Sequence, residues 1–242
     1  LITGAQCATR YYGGTLITAI TSPPKSFNPI VAKETSTTAI TGFIFEGLTT
    51  LDPSTLEVRP NLARAWKTDA TGTIWTFYLR DNVHWNDGTP FTADDVIFTF
   101  NRLVLNPSIP TSSRDVFTIA GKTPRVEKIN AHTVRITLPS RFAPFLMLMS
   151  QEILPAHLLA REANEGRFSF ALGLDAKPTA IVGTGPFMLE HFRPGEYLIL
   201  KKNPHYWKTS ASGEILPYLD RLILVITPDQ NLALLKLKKG EL

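Results

Sequence analysis

The stretch VHWNDGTPFTADDV, residues 83–96, combines a tight turn with a helix start in the middle of the chain. Its Asn-Asp-Gly centre tolerates the positive φ of a turn, and Thr92 can cap the backbone N–H of Asp95. The stretch therefore predicts a strand, a turn and a helix. Asp94 and Asp95 suit the first helical turn, where carboxylates interact favourably with the helix dipole, and a catalytic pair is the alternative interpretation.

Periodic segments flank this stretch on both sides. Before it, TIWTFYLR alternates as a strand that places Trp75, Phe77 and Leu79 on one face, with Trp75 in the core. After it, apolar residues at helical spacing predict a helix that packs on a sheet and leaves Phe98 outside its apolar stripe. The stripe consists of Val96, Ile97, Phe100, Leu103 and Val104.

The remaining elements alternate between the helical and the strand period. Strands are predicted at TLITAI and DRLILVIT, and hairpins at GLTTLDPSTLEVRP, RVEKINAHTVRITL and FMLEHFRPGEYLIL. Helices are predicted at ETSTTAITGFIFEGL, which should end at Gly47, and at APFLMLMS, PAHLLAREANEG and PDQNLALLKLKKGEL. Residues 105–123 form a long polar loop of a kind that often binds ligands or is disordered. This order indicates an α/β fold of two interleaved units, with the middle section an excursion from the first.

The composition fits a soluble globular protein and argues against a nucleic-acid partner. Of 242 residues, 43% are hydrophobic and 19% charged, with a formal net charge of +4. The densest cluster of cations is Lys236, Lys238 and Lys239, which a solvated helix face explains better than a phosphate-binding groove. No apolar run approaches the ~20 residues of a membrane-spanning helix.

The single cysteine, Cys7, excludes an intramolecular disulfide and a multi-thiolate metal site. It lies in LITGAQC, where a bacterial lipoprotein would carry its lipidated cysteine, although Gln6 stands where that signal expects a small residue. A free thiol in an N-terminal tail is the favoured interpretation, and lipidation is the alternative.

Motifs of the common enzyme classes are absent from the sequence. It contains no Gly-x-Ser-x-Gly, no His-Glu-x-x-His and no phosphate-binding Gly-x-x-x-x-Gly-Lys-Ser/Thr. The five histidines are widely spaced, so that no metal site and no cofactor are predicted. GTGP at residues 183–186 predicts a tight turn between strands rather than an anion site.

A set of motifs in a fixed order identifies a family resemblance that covers nearly the whole chain from Gly13 onward. The motifs are SFNP, FIFEGLTTLDP, PNLARAW, WTFYLRDNVHWNDGTPFTADDVIFTFNRL, EILPAHLL, GTGPFML, LKKNPHYW and LLKLKKGEL. In this order they resemble the extracellular solute-binding proteins of family 5, the peptide/nickel class that serves ABC importers.

The resemblance implies a periplasmic-binding-protein-like fold of type II, cluster C-like, with mixed-sheet lobes that close on a ligand. It implies no enzyme, but the substrate-binding component of an ABC importer that delivers an oligopeptide, dipeptide or similar small solute to membrane permease subunits. A peptide is the first candidate ligand. The implied location is periplasmic or extracytoplasmic, with Cys7 as a candidate membrane anchor.

The resemblance also implies a division into domains. Residues 1–14 are a tail, residues 15–45 begin domain I, residues 46–168 are the smaller inserted domain II, and residues 169–242 continue domain I. Family members are longer, so a C-terminal lobe, domain III, is expected to be absent from this chain. The inter-domain passages are expected within residues 42–47 and 168–185, and residues 83–96 are expected to be a structural signature of domain II.

Carry-over of ligand contacts from the family points to two segments. After SFNP, the predicted ligand neighbours are Lys33, Glu34 and Thr35. From the long polar loop they are Thr111, Ser113 and Arg114.

Two rival functions remain open at this stage. An enzyme with an unfamiliar site on an α/β scaffold, using Asp94, Asp95 or a histidine, would turn over a substrate. A surface receptor or chaperone-like interaction protein with the same fold would bind a protein partner and no small solute.

Overall fold

The structure, a computed structural model, describes residues 12–242 and thus leaves Cys7 and the possible anchor outside the described residues. Its strands are β1 (Thr15–Ile20), β2 (Thr49–Leu51), β3 (Val58–Pro60), β4 (Ala63–Thr68), β5 (Ile74–Leu79), β6 (Arg125–Asn130), β7 (Thr133–Thr137), β8 (Phe187–Arg193), β9 (Tyr197–Lys202) and β10 (Arg221–Ile226). They form one sheet of order β1-β10-β9-β8, the pair β2-β3, and one sheet of order β4-β5-β7-β6.

The helices are short, and all except α6, which follows β10, lie between these strands along the chain. They are α1 (Thr35–Thr41), α2 (Ala93–Ile97), a π-helical continuation of α2 (Phe98–Val104), α3 (Ser113–Phe117), α4 (Phe145–Leu148), α5 (Ala156–Asn164) and α6 (Gln230–Lys238). Two single turns of 3₁₀ helix occur at Phe168–Phe170 and Pro178–Ala180. The α/β class with mixed sheets is confirmed.

The sheet β1-β10-β9-β8 joins segments from the two ends of the described chain. β1 runs parallel to β10, whereas β9 pairs antiparallel with both β10 and β8. β8 and β9 are the predicted hairpin, and Gly195 at its turn has a φ of +77°, which favours glycine. The strands predicted at TLITAI and DRLILVIT are therefore confirmed.

The sheet β4-β5-β7-β6 is antiparallel and has one apolar face. Phe77, Leu79, Val134 and Ile136 are at most 1% exposed, as their alternation predicts. Trp75 is only partly buried, so its prediction as a core residue is wrong. It lies near the start of β5, where its Nε1 donates to the carbonyl of Gly72 at 3.2 Å.

Residues 83–96 fold into the predicted turn and helix start, but they form a tight loop with one isolated bridge in place of a strand. The amide of Trp85 donates to the carbonyl of Thr89 at 2.8 Å, and Gly88 has a φ of +88°. Thr92 and Asp95 form a capping box at the start of α2. Trp85 is fully buried, which anchors the loop in the core.

The helix that follows departs from the predicted register at Phe98, which is 7% exposed. From this residue to Val104 the backbone is π-helical, and α5 packs on this segment. The wider π-helical turn and the second packing partner bury positions outside an α-helical stripe. The prediction that Phe98 lies outside the buried surface is therefore wrong.

Helix α1 ends at Thr41 and not at Gly47 as predicted. The carbonyls of Phe43 and Ile44 instead accept hydrogen bonds from the amides of Phe187, at 3.0 Å, and Gly185, at 2.8 Å. Long-range pairing of this backbone thus replaces the last turns of a helix whose β-branched residues are weak helix formers.

The two predicted passages, residues 42–47 and 168–185, therefore meet through the hydrogen bond from Gly185 to Ile44. Gly183 permits the contact, because a Cβ there would lie 1.9 Å from the carbonyl oxygen of Ile44. Buried side chains of the β4-β5-β7-β6 and β1-β10-β9-β8 sheets belong to one hydrophobic cluster. The domain boundaries after residues 45 and 168 stay a prediction.

Candidate ligand-binding site

A cavity of about 410 Å³ lies where three segments of the chain converge, and we call it the first cavity. It is lined by Lys33, by residues at and near α3 and by residues around the end of α4. The latter two groups are Ser112, Ser113, Val116 and Phe117, and Met147, Leu148, Ser150, Gln151 and Glu152.

The segment that carries Lys33 is held by buried polar contacts. The Nδ2 of Asn28 donates to the carbonyls of Phe168, at 3.2 Å, and Ala171, at 3.1 Å. The hydroxyl of Thr111 donates to the carbonyl of Ile30 at 2.6 Å. These bonds connect the SFNP segment both to the 3₁₀ turn at residues 168–170 and to the loop that precedes α3.

The segment that follows α4 is fixed by backbone contacts with residues 46–49. The amide of Thr49 donates to the carbonyl of Met149 at 3.1 Å, and the amide of Ile153 donates to the carbonyl of Glu46 at 2.9 Å. Gln151 and Glu152 lie between these two attachment points, so their backbone is held in place at the wall of the first cavity.

A hydrogen-bonded network links the polar residues of the first cavity. The ammonium of Lys33 donates to Glu152 Oε2 at 3.0 Å and to Gln151 Oε1 at 3.3 Å. Gln151 Oε1 also accepts from the hydroxyl of Ser113 at 2.7 Å, and Gln151 Nε2 donates to Glu152 Oε2 at 2.8 Å. The network thus joins all three segments and preorganises the polar side of the cavity.

Apolar side chains form another part of the cavity wall. Val116 is 52% and Met147 is 45% exposed, and both line the first cavity beside the buried Phe117. An exposed valine and methionine next to a fixed polar network can hold a small molecule that has both polar and apolar parts. The arrangement supports reversible binding.

The predicted site residues fall into two groups. Lys33 and Ser113 line the first cavity and share Gln151 as a partner. Thr111 does not line the first cavity but holds Ser113 in place, since its hydroxyl also accepts a hydrogen bond from the amide of Ser113 at 3.1 Å.

The other three predicted residues do not line the first cavity. Arg114 donates to the carbonyls of Asn106, at 2.7 Å, and Ile109, at 3.1 Å, and so holds the long loop. Glu34 precedes α1 and accepts a hydrogen bond from the hydroxyl of Thr37. Thr35 is exposed and lines a different cavity at the end of β1. Direct ligand contact by any predicted site residue stays a prediction.

Sequence reasoning missed Gln151 and Glu152, which are central to the network. They belong to MLMSQEILP, where three adjacent polar residues, Ser150, Gln151 and Glu152, interrupt an otherwise apolar run. That interruption is the sequence feature that could have marked them as functional residues, but their proximity to Lys33 depends on the tertiary fold.

A second cavity, of about 350 Å³, shares Ser150 and Glu152 with the first one. Beside it lies the buried carboxylate of Glu46, which accepts from Trp207 Nε1 at 2.9 Å, Lys208 Nζ at 3.2 Å and the hydroxyl of Tyr206 at 3.3 Å. Burial and the neighbouring Glu46 charge raise the pKa of Tyr206 above its ordinary value, so this phenol stays a hydrogen-bond donor. The charge of Glu46 is thereby satisfied within the fold.

Asp94 and Asp95, the candidate catalytic pair, both have structural partners. Asp94 forms an exposed ion pair with Lys128 at 2.7 Å. Asp95 accepts from the amides of Thr92, at 3.0 Å, and Ala156, at 2.9 Å, and burial raises its pKa. The helix-start interpretation of the pair is confirmed.

Residues 12–242 contain no cluster of three or more histidine, cysteine, aspartate or glutamate side chains able to hold a metal ion. Within the same residues, no helix has both the length and the apolar character needed to cross a bilayer.

Comparison with known proteins agrees with this geometry. Residues 57–242 match the family model of the bacterial extracellular solute-binding proteins, family 5 Middle. The dipeptide-binding protein of Escherichia coli K12 is 30% identical over 243 residues, a match that covers 94% of this chain and 43% of that protein.

Two solved structures have the same fold. The ABC transporter-associated periplasmic binding protein DppA of Helicobacter pylori, in complex with the peptide STSA, matches with a TM-score of 0.80 and 26% identity, covering 96% of this chain and 46% of that one. The periplasmic binding protein MelB of Agrobacterium fabrum C58, in complex with stachyose, matches with a TM-score of 0.82 and 25% identity, covering 95% and 36%. The chain spans less than half the length of these relatives, and its fold is that of a periplasmic binding protein. It belongs to the bacterial extracellular solute-binding proteins of family 5.

Proposed function

We propose that the protein captures a small solute, with a peptide as the first candidate, as the substrate-binding component of an ABC importer. The observation that carries this proposal is the first cavity, in which the Lys33, Ser113, Gln151 and Glu152 network meets exposed apolar side chains. Its volume of about 410 Å³ falls within the range of small-molecule sites, roughly 300–1,000 Å³.

A peptide suits this cavity because it offers hydrogen-bonding groups and apolar side chains in alternation. Lys33 and Ser113 are the proposed direct contacts. Thr111, Arg114 and Glu34 hold the surrounding segments, and Thr35 contacts the ligand only where it extends towards the end of β1. The relatives' peptide complexes support this ligand class, and a stachyose complex within the same fold keeps sugars as the competing class.

The proposal includes release of the solute to membrane permease subunits outside the cytoplasm. Family membership supports it, since the family is described as extracellular. Hinge closure about residues 42–47 and 168–185 is the proposed motion, because inter-domain passages that lie together can rotate as one unit. Nucleic acid has no part in this function.

A thermal-shift screen tests solute capture. The protein, in the longest form that its gene encodes, is heated with peptides, nickel-chelator complexes, sugars and opines. At a hundredfold excess over its Kd, a solute that binds the native state adds about 2.7 kcal/mol to the free energy of unfolding. We expect peptides to produce the largest shift.

A matched pair of variants locates the binding. Ser113→Ala removes a hydroxyl from the first cavity and should reduce the shift, whereas Ser54→Ala, in the exposed hairpin turn, should leave it unchanged. Absence of a shift with every class would contradict solute capture and favour a protein partner.

A further inference from the structure

A cavity of about 280 Å³ lies at one end of the β4-β5-β7-β6 sheet, and we call it the Trp75 cavity. Two segments form it, namely the end of β4 with the turn into β5, and the residues that follow β7. Its lining residues are Thr68, Gly72, Trp75, Arg141, Phe142 and Ala143. None of them lines the first or the second cavity, so a ligand of the Trp75 cavity occupies a place separate from the proposed solute site.

The turn between β4 and β5 gives the Trp75 cavity a fixed wall. One carboxylate oxygen of Asp69 accepts from the amides of Ile74, at 2.9 Å, and Thr73, at 3.1 Å. The other accepts from the hydroxyl of Thr71 at 2.6 Å. The amide of Leu138, directly after β7, donates to the carbonyl of Thr73 at 2.8 Å and so joins the two segments. Both oxygens of the acid in this turn are therefore occupied by the turn itself.

Trp75 supplies an aromatic surface in a fixed orientation. Its Nε1 donates to the carbonyl of Gly72 at 3.2 Å, and its ring packs on Phe145 with the ring centroids 5.3 Å apart. The residue is only partly buried, and so is Phe142 beside it in the cavity wall. A tryptophan that is held in place and partly exposed offers contact area to a planar ligand group at a low cost in conformational entropy.

Arg141 adds a positive charge that has no partner in the described chain. Its guanidinium forms no hydrogen bond and no ion pair with another residue of 12–242, whereas Arg125 of the same sheet pairs with Glu127 at 2.9 Å. The stem of Arg141 lies against Gly72, where an added Cβ would be 3.4 Å from its Cγ, Cδ and Nε. The guanidinium is thus located at the cavity with its five donors available.

The lining of the Trp75 cavity selects the class of ligand. The guanidinium of Arg141 matches the geometry of a carboxylate, which it can bind through two parallel hydrogen bonds. The hydroxyl of Thr68, which has no partner within residues 12–242, is a further donor. Trp75 and Phe142 favour a planar apolar body. The volume lies just below the roughly 300–1,000 Å³ of sites for drug-sized ligands, so the cavity fits a single-ring acid and not an extended peptide.

We propose that the Trp75 cavity is an accessory binding site for a small aromatic carboxylic acid, whose ring stacks on Trp75 and whose carboxylate binds the guanidinium of Arg141. The inference goes beyond the proposed function, because it gives the β4-β5-β7-β6 sheet a ligand of its own. Binding at this site is reversible and includes no covalent step.

Calorimetric titration with phenylacetate tests the proposal. Phenylacetamide has nearly the same shape without the charge, and acetate has the charge without the ring. Phenylacetate should bind the wild-type protein roughly 10- to 100-fold more tightly than phenylacetamide, as expected for charge-assisted hydrogen bonds. Acetate should bind more weakly than phenylacetate, because it makes no contact with the indole.

Replacement of Arg141 locates the binding. Arg141→Gln should abolish the preference for the acid over the amide, and Arg141→Lys should reduce it, since an ammonium lacks the planar pair of donors. Arg135→Gln, the same change at an exposed arginine of β7 outside the cavity, should keep the preference. Because Arg141 is also exposed and unpaired, all three variants should unfold at the temperature of the wild type.

Three results would overturn the inference. They are an Arg141→Gln protein that discriminates as the wild type does, a wild-type protein that binds phenylacetate no better than phenylacetamide, and displacement of phenylacetate by the solute that the thermal-shift screen selects. None of these results contradicts solute capture, which the thermal-shift screen tests separately.

Discussion

Two carboxylates, the buried Asp95 and the partly buried Glu152, differ in how many of their oxygens accept hydrogen bonds within the fold. Asp95 engages both oxygens with donors from three parts of the chain, namely the amides of Thr92 and Ala156 and, at 3.4 Å, the Nε1 of Trp85. Glu152 engages one oxygen, beside a cavity, and keeps the other available. A carboxylate whose oxygens all accept hydrogen bonds within the fold stabilises the fold. A carboxylate with an unpaired oxygen at a cavity wall is suited to binding a ligand.

The largest effect is expected from Asp95→Ala. It removes the capping box and leaves the partly buried amides of Thr92 and Ala156 without their acceptor, so the free energy of unfolding should fall by about 3 kcal/mol. Urea denaturation measures the change. Asp94→Ala is the matched control, since that side chain is 63% exposed and its loss should cost less than about 1 kcal/mol. Equal losses of unfolding free energy in the two variants would show that Asp95 is no more important to the fold than the exposed Asp94.

A somewhat smaller loss is expected from Gly183→Ala. The added Cβ would lie 1.9 Å from the carbonyl oxygen of Ile44, and the backbone must move to accommodate it, at a cost of about 2–3 kcal/mol. The passages at residues 42–47 and 168–185 meet here, so the variant should also change the rate of proteolysis within them.

Gly42→Ala provides the control for this contact. Its Cβ would lie 3.1 Å from the carbonyl oxygen of Thr38, so the same denaturation experiment should show a much smaller change. If Gly183→Ala were as stable as the wild type, the close contact between the two passages would not exist in solution.

The smallest effect on stability, and the clearest on binding, is expected from Lys33→Met. The Lys33 to Glu152 pair is partly exposed, at 28% and 17%, so unfolding should change by about 1 kcal/mol or less. Because the change opens the polar network of the first cavity, affinity for the preferred solute should change by about tenfold or more. Lys128→Met, at the exposed pair with Asp94, should leave affinity unchanged in the same titration. A large loss of stability without a change in affinity would show that Lys33, like Asp95, has a structural role and not a binding role.

Local patterns predicted the elements whose own residues specify them. The Thr92 to Asp95 capping box and the hairpin at Gly195 depend on neighbours within a few positions. The same local rules failed where a distant segment competes. α1 stops at Thr41 because residues 43 and 44 pair with residues 185 and 187, and Phe98 is buried in a π-helical segment against α5.

The candidate site shows the same limit. Lys33 and Ser113 were predicted from a family resemblance, and both line the first cavity. Gln151 and Glu152 were not predicted, because polar residues that interrupt an apolar run indicate no role until their neighbours in space are known. Arg114 was predicted as a ligand neighbour, yet its guanidinium binds carbonyls of its own loop.

The sequence by itself determined the α/β class, the turn and capped helix of residues 83–96, and membership of the solute-binding family, because periodicity, turn chemistry and motif order are properties of neighbouring residues. Only the tertiary structure decided that Lys33, Ser113, Gln151 and Glu152 share one network and that Glu152 separates two cavities. Residue 33 and residue 152 are more than a hundred positions apart. Their contact exists because residues 149–153 pair with residues 46–49 while Thr111 binds the carbonyl of Ile30, and no local pattern encodes either contact.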